Sequence, residues 1–350
     1  MQNAKNEAVR FYKQNLQKNK IAQEYLLNRG LTKEIIKFFD IGYADGNNSL
    51  IYHLLSKGIS IETMEGAGLA RKDFNGTNSI DFFKNRIIFP TKCGPNVVFM
   101  SGRDLTNKSS RKYLNIPGPN DALINEDLLY KKPPYVILTE GYIDCYTLVQ
   151  NKFPSVGLAG CNRKKKSVVD KLINIPKIYI MFDFDPNGSG DKGAINTAYQ
   201  LCRRGHKQVF ICHLPHNGLD KTDINQLYIE IKNGFTGIIK DVLINSTRPF
   251  HETDEYKKME YEEQFKPISY NDMAAADSIA VYEKYLQLQV ISNKYLRCCC
   301  PFHGETQPSF TVYIGSGLGR CFGCGLEFEN GRDFEEAFLA KQTLERMSGI

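Results

Sequence analysis

The stretch Tyr135-Val136-Ile137-Leu138-Thr139-Glu140-Gly141-Tyr142-Ile143-Asp144, followed later by Ile178-Tyr179-Ile180-Met181-Phe182-Asp183-Phe184-Asp185, decides the reading of this chain. Each segment is an apolar run that ends in carboxylates. Two more runs, Val156-Gly157-Leu158 and Val209-Phe210-Ile211-Cys212, complete a set of four between Tyr135 and Asp223. Short apolar runs alternating with helix-length segments predict buried parallel strands joined by crossover helices, an α/β arrangement. Open sheets of this kind bind ligands beyond the carboxyl ends of their strands. There stand Glu140, Asp183 and Asp185, with Asp220 and Asp223 beyond the fourth run. Carboxylates that converge in a crevice repel one another, and a divalent cation held by oxygen ligands relieves the repulsion. The residues therefore predict a Mg²⁺ or Mn²⁺ site acting on phosphates. The plainer alternative makes Glu140 a helix cap and leaves the aspartates in a solvated turn ending at Pro186-Asn187-Gly188.

The chain has 350 residues, 42% hydrophobic and 24% charged, which suits two or three globular domains. Met1–Glu7 has no apolar core and no apolar run approaches membrane-spanning length, so neither a signal peptide nor a membrane span is expected. Cytoplasmic residence follows. The net charge of +6 favours a nucleic-acid partner over a membrane. Five of the ten cysteines crowd between Cys298 and Cys324, which points to a metal site in a reducing compartment rather than a disulfide framework.

Residues 1 to 70 have helical periodicity, with Ala8, Phe11, Tyr12 and Leu16 on one face and Ala22, Tyr25, Leu26, Ile35, Ile36 and Phe39 continuing it. Gly30 reads as a helix stop and Thr32 as the next N-cap. Ile87-Ile88-Phe89-Pro90 and Val97-Val98-Phe99-Met100 read as strands. Lys84, Arg86, Arg103, Lys108, Arg111 and Lys112 cluster around them and could hold a polyanion. Between Ser246 and Tyr270 the sequence is polar, and it reads as a linker that could be helical in part.

Beyond it, Cys300-Pro301-Phe302-His303 and Cys321-Phe322-Gly323-Cys324 give Cys-x2-His and then Cys-x2-Cys. Two-residue spacers let both ligands of a knuckle reach one ion, so tetrahedral Zn²⁺ is expected on Cys300, His303, Cys321 and Cys324. Three thiolates and an imidazole leave no open position. The zinc is therefore structural and its binding contributes to folding.

The Glu140-Gly141-Tyr142-Ile143-Asp144 and Asp183-Phe184-Asp185 elements resemble the Toprim signature of bacterial primases, topoisomerases and certain nucleases. The likeness becomes specific with Arg29-Gly30-Leu31, Ile41-Gly42-Tyr43-Ala44, Arg86-Ile87-Ile88-Phe89-Pro90, Gly102-Arg103 and Lys112-Tyr113-Leu114-Asn115, in that order. From about Ala8 to Asn225 the chain resembles the polymerase core of DnaG-type primases. Cys300 to Phe310 and Cys321 to Gly325 resemble the primase zinc-binding domain, which here follows the core instead of preceding it.

The resemblance implies a Toprim-type parallel-sheet core with an N-terminal helical and mixed α+β part over 1–130 and a catalytic subdomain over 131–245. A linker over 246–270 then leads to a zinc-ribbon domain over 271–350. It assigns the catalytic metal to Glu140, Asp183, Asp185 and Asp220; by position alone, Asp223 could cap the next helix, and Asp144, one helical turn after Glu140, could orient its neighbours. Arg29, Lys84, Arg86, Arg103 and Lys112 would line a basic groove for nucleotides and the template-primer hybrid. Phe302, Phe310, Tyr313, Phe322 and Arg320 are candidates for contact with single-stranded template.

Three departures stand out. Asn125 occupies a position where the family usually has lysine, the turn after Asp185 is longer than usual, and Asp220 and Asp223 are spaced more widely than the family's last acidic pair.

The expected activity is synthesis of short RNA primers on single-stranded DNA from ribonucleoside triphosphates, with a replicative helicase as a candidate partner. A Toprim nuclease or topoisomerase, and a non-catalytic adaptor that binds single strands, are the rival readings.

Overall fold

The computed structural model describes the chain except residues 107–110, 119, 159–165, 184–187, 216–221, 265–269, 293 and 349–350. It divides into two compact units, Met1–Glu260 and Tyr261–Ile350.

The first unit opens with helices α1 (Gln2–Lys18), α2 (Lys20–Asn28) and α3 (Lys33–Phe38), then strand β1 (Gly42–Ala44) and helices α4 (Ser49–Ser56) and α5 (Ile61–Gly66). Ala8, Tyr12, Leu16, Ala22, Leu26 and Ile35 are buried, as their periodicity requires. Gly30 does stop α2, at φ +72°, and its missing side chain lets the Tyr228 ring approach to 2.7 Å from where a Cβ would stand. Thr32 caps α3 by accepting the Ile35 N–H at 3.3 Å. A small hairpin, β2 (Ala70–Lys72) with β3 (Ser79–Asp81), precedes β4 (Arg86–Cys93), β5 (Asn96–Asp104) and β6 (Tyr113–Asn115). Strands β1, β4, β5 and β6 form one antiparallel sheet in the order β1-β4-β5-β6.

The second sheet of this unit holds the four runs read from the sequence: β7 (Val136–Thr139), β8 (Ser155–Gly157), β9 (Ile178–Ile180) and β10 (Val209–Ile211). All are parallel, in the order β10-β9-β7-β8. Helices α6 (Tyr142–Gln150), α7 (Lys166–Leu172) and α8 (Ser189–Arg203) connect them, and α9 (Ile224–Ile231) and α10 (Phe235–Asn245) follow. Strand alternation sorts the apolar residues to two faces. Val136, Leu138, Ile178, Ile180 and Val209 pack against α7 and α8. Ile137, Tyr179, Met181 and Phe210 pack against α9 and α10. Both faces are covered, which is why the runs are apolar throughout instead of alternating.

Order matters for function. After β7 the chain goes to β8 on one side and then crosses to β9 on the other, so the sheet has its switch point at the β7–β9 pair. Leu138 faces Ile180 across that pair, which brings the carboxyl ends leading to Glu140 and Asp183 side by side.

The expected linker is not one for its first half. Phe250 is buried, and Tyr256 and Met259 of α11 (Asp254–Gln264) pack on the core under α8. Three apolar side chains spaced along a polar segment suffice to dock it, although they are too few to signal core by periodicity. The first unit therefore runs to Glu260.

The second unit consists of α12 (Tyr270–Tyr285), a five-stranded antiparallel sheet and α13 (Gly331–Ser348). The strands, β11 (Gln289–Val290), β12 (Tyr295–Cys298), β13 (Phe310–Tyr313), β14 (Gly319–Cys321) and β15 (Glu327–Phe328), lie in sequential order. Tyr282, Leu296, Phe310, Val312, Phe328 and Phe334 form its core. Among the described residues, no helix is long and apolar enough to cross a membrane.

Candidate functional site

A cleft of about 300 Å³ opens at the switch point of the parallel sheet. Its acidic wall comes from Glu140, at the end of β7, and Asp183, after β9. Asp144, on the first turn of α6, and Asp223, just before α9, join them. The N-terminal part of the chain supplies the basic wall, with Arg29 from the end of α2, Arg103 from β5 and Lys112 from the edge of β6. Five of these seven residues, Glu140, Asp183, Arg29, Arg103 and Lys112, are candidate site residues from the sequence, which gives Asp144 and Asp223 supporting roles. Asp185 and Asp220, and Lys108 of the basic cluster, lie outside the described residues.

Asp144 is the most telling acid. It is buried, and burial together with the charges of Asp223 and Asp183 pushes its carboxyl well above the usual carboxylate range. A backbone N–H from Asn225, at 3.1 Å, only partly opposes this. Asp223 caps α9 by accepting the Gln226 N–H at 2.6 Å, and it lines the cleft as well. A group of oxygen donors in which burial and neighbouring charge raise one carboxyl suits a hard divalent cation. Among the described residues, however, these acids are not drawn together tightly enough to chelate as they stand.

Close approach builds the acidic wall. A Cβ on Gly190 would lie 1.8 Å from the Asp183 carbonyl oxygen, so only glycine lets the start of α8 sit against the β9 end. On the basic wall, Arg103 lies between two rings, its guanidinium 5.3 Å from Tyr25 and 5.3 Å from Tyr113. It donates to the Tyr113 hydroxyl at 3.0 Å. Its buried Nε has no partner among the described residues. Arg29 lies 5.9 Å from the Tyr25 ring and donates to the Asn225 side-chain oxygen at 3.3 Å.

Two of the expected groove cations sit elsewhere. Arg86 is buried, and its guanidinium donates to the carbonyls of Gly102 at 2.9 Å, Arg111 at 3.2 Å and Lys112 at 3.4 Å. It thereby braces Arg111 and Lys112 just ahead of β6. Lys84 is exposed ahead of β4 and does not line the cleft.

Asn225 escaped the sequence reading. Its amide nitrogen donates to the Arg29 carbonyl at 2.7 Å and to the Thr147 hydroxyl at 3.0 Å, so one buried side chain ties α2 to α6. Gln150 adds to this clamp by donating to the Gly30 carbonyl at 2.9 Å and accepting the Thr32 N–H at 2.8 Å. The only sequence signal for it was the neighbouring acid, Asp223.

The second unit holds a different site. One donor atom from each of Cys300, His303, Cys321 and Cys324 lies within 4.8 Å of the others, the packing that a tetrahedral zinc ion requires. His303 Nδ1 lies on the Cys321 side at 4.0 Å, while its Nε2 meets Glu305 at 3.0 Å. That carboxylate also accepts from the Cys300 N–H at 2.5 Å and the Ser309 hydroxyl at 2.6 Å, so it fixes the ring and both knuckles together. Burial raises the Cys321 thiol, but hydrogen bonds from the Ser309 hydroxyl and the Cys324 and Gly323 N–H groups outweigh it and bring the thiol to about 7. Of the proposed template contacts, Phe310 is fully buried in the core, whereas Phe322 is exposed with the Arg320 guanidinium 5.3 Å from its ring.

A doubly covered parallel sheet with a carboxylate-and-cation cleft in one unit, and a Cys₃His ribbon in the other, are the arrangements that the resemblance to a DnaG-type primase core and its zinc-binding domain implies. Residues 11–131 match the family described as DNA primase catalytic core, N-terminal domain, and residues 267–340 match the CHC2 zinc finger. The chain thus carries the N-terminal domain of a DNA primase catalytic core and a CHC2 zinc finger, in that order.

Over 226 residues it is 34% identical to the DNA primase of Borreliella burgdorferi, covering 60% of this chain and 41% of that protein. Over 222 residues it is 31% identical to the DNA primase of Staphylococcus epidermidis, covering 59% and 36%. Each match spans less than half of the relative's length. The crystal structure of the Aquifex aeolicus primase zinc-binding and RNA polymerase domains is similar in fold, with a TM-score of 0.62 and 22% identity over 81% of this chain and 71% of that one.

Proposed function

We propose that this chain is a DNA primase that joins ribonucleoside triphosphates into short RNA primers on a single-stranded DNA template. The observation that carries the reading is the cleft itself, where Glu140 and Asp183 stand opposite Arg29, Arg103 and Lys112. An acidic cluster alone would serve a nuclease or topoisomerase equally well. The opposing cations, the primase-core match and the zinc finger favour the polymerase. The similarity to DNA primases supports it too, as does the similarity in fold to a DnaG primase catalytic domain bound to single-stranded DNA and to the RNA polymerase domain of Mycobacterium tuberculosis primase bound to a DNA oligomer with an overhang.

Glu140 and Asp183 would hold Mg²⁺ or Mn²⁺, with Asp185 and Asp220 as further ligands and Asp223 as an additional one at the cleft edge. When bound, such an ion would supply charge neutralisation for the triphosphate and acidify the attacking 3′-hydroxyl. Arg29, Arg103 and Lys112 neutralise and orient phosphates. The half-exposed Tyr113 ring, held by Arg103, offers a face on which a base can stack. Asp144, its carboxyl raised by burial and by the charges of Asp223 and Asp183, would orient the neighbouring acids. The exposed pair of Phe322 and Arg320 gives the zinc finger a stacking surface for single strands.

The test is to incubate single-stranded templates with labelled ribonucleotides and Mg²⁺ or Mn²⁺, and to resolve the products on a gel. Short template-directed RNA is expected. Nicked or relaxed DNA without new RNA would favour the nuclease or topoisomerase reading, and template binding without product would favour an adaptor.

A further inference from the structure

The helices ahead of the catalytic cleft enclose a second concavity that the proposed reaction does not use. Helices α1, α2 and α3 meet around a groove of about 320 Å³ whose floor is Leu16, Leu26, Ile36 and Ile41. Leu27, 46% exposed, forms an open apolar wall. Lys13, Lys33 and Lys37 stand on the rim, and no carboxylate lines the groove.

The rim charge is only partly offset by neighbouring acids. Asp40 is shared between Lys13 and Lys92. Glu34 is hydrogen-bonded to its own backbone N–H and to Thr32, and feels Lys33 only weakly. Lys33 and Lys37, both on the exposed side of α3, are left facing solvent above an apolar floor.

This combination selects its occupant. The floor gains from taking an apolar side chain out of water, and the rim gains from carboxylates set beside that side chain. A nucleic acid fits poorly, because single strands need aromatic or guanidinium planes on which to stack, and the lining has neither. We propose that this groove docks an acidic amphipathic peptide segment of a partner protein, seating an apolar anchor between α2 and α3 and pairing carboxylates with Lys33 and Lys37. Helix-in-groove recognition of this kind reads anchors at i and i+4.

The probe is a fluorescein-labelled peptide with leucines at i and i+4 flanked by glutamates, titrated with the full chain and followed by fluorescence anisotropy. Saturable binding that weakens with added salt is expected. Lys33→Glu with Lys37→Glu, or Leu27→Asp alone, should weaken it by about tenfold or more, while thermal melts show the variants folded. Four results would overturn the proposal: no binding to the wild-type chain, equal binding of a control peptide with lysines in place of the glutamates, unchanged affinity in the folded variants, or displacement of the peptide by oligothymidylate with the same sensitivity to these variants.

Discussion

Burial and two neighbouring carboxylates hold the proton on Asp144 well above the range in which an exposed aspartate loses it. The unfolded chain gives up that proton near pH 4, so the folded state binds more protons from about there up to the raised folded pKa. Without divalent cations, stability should therefore fall as pH rises through that window. Thermal melts in chelator across this range should show the slope in the wild type and its loss in Asp144→Asn, and added Mg²⁺ should recover stability at the alkaline end. Equal slopes in the two proteins would refute this account of Asp144. Arg86 is a second case in which placement revises the role suggested by sequence. Its guanidinium donates to carbonyl oxygens, so Arg86→Ala leaves the buried Gly102 acceptor and the partly buried Arg111 acceptor without it, at a cost of about 1–3 kcal/mol. Denaturant unfolding should show that loss, and Arg86→Lys should recover little of it, because an ammonium cannot reproduce the fork.

Elements position these groups, and what was legible in sequence follows from how local each cause is. The four strands of the parallel sheet were readable because burial on both faces leaves unbroken apolar runs, and the helix stop at Gly30 because glycine alone suits a φ of +72°. The zinc ligands were readable from spacing within two short turns. The helix over Asp254–Gln264 was not, because Tyr256 and Met259 dock a mostly polar segment. Nor was the strand order, which sets Glu140 beside Asp183 but is a property of long-range pairing. Asn225 is the clearest omission, since its partners Arg29 and Thr147 are distant in sequence. Asn225 is a positioning residue, holding the α2 terminus so that Arg29 faces the cleft. In Asn225→Ala the KM for ribonucleotides should rise by about tenfold, corresponding to about 1.4 kcal/mol, with kcat changed far less. A matching fall in kcat with KM unchanged would show that the clamp acts on the acids instead.

At the scale of the whole molecule, the two units rest on different sources of stability. Met1–Glu260 buries four apolar clusters, whereas Tyr261–Ile350 has one small cluster and depends on its Cys₃His set. A strong zinc chelator should therefore unfold the second unit and leave the first, seen in calorimetry as loss of one transition with the other in place. A single unchanged transition would contradict this. The central proposal concerns the first unit, where carboxylates from distant points in the chain line one cleft with cations and would together hold a magnesium-like ion for nucleotide transfer. The most direct measurement is ribonucleotide incorporation on a single-stranded template by Asp183→Asn, which keeps the shape of the side chain and removes its charge. The account predicts a loss of about a hundredfold or more, with an unchanged melting profile, as expected for removal of a stabilising contact worth about 3 kcal/mol in the transition state. Incorporation at the wild-type rate would contradict it.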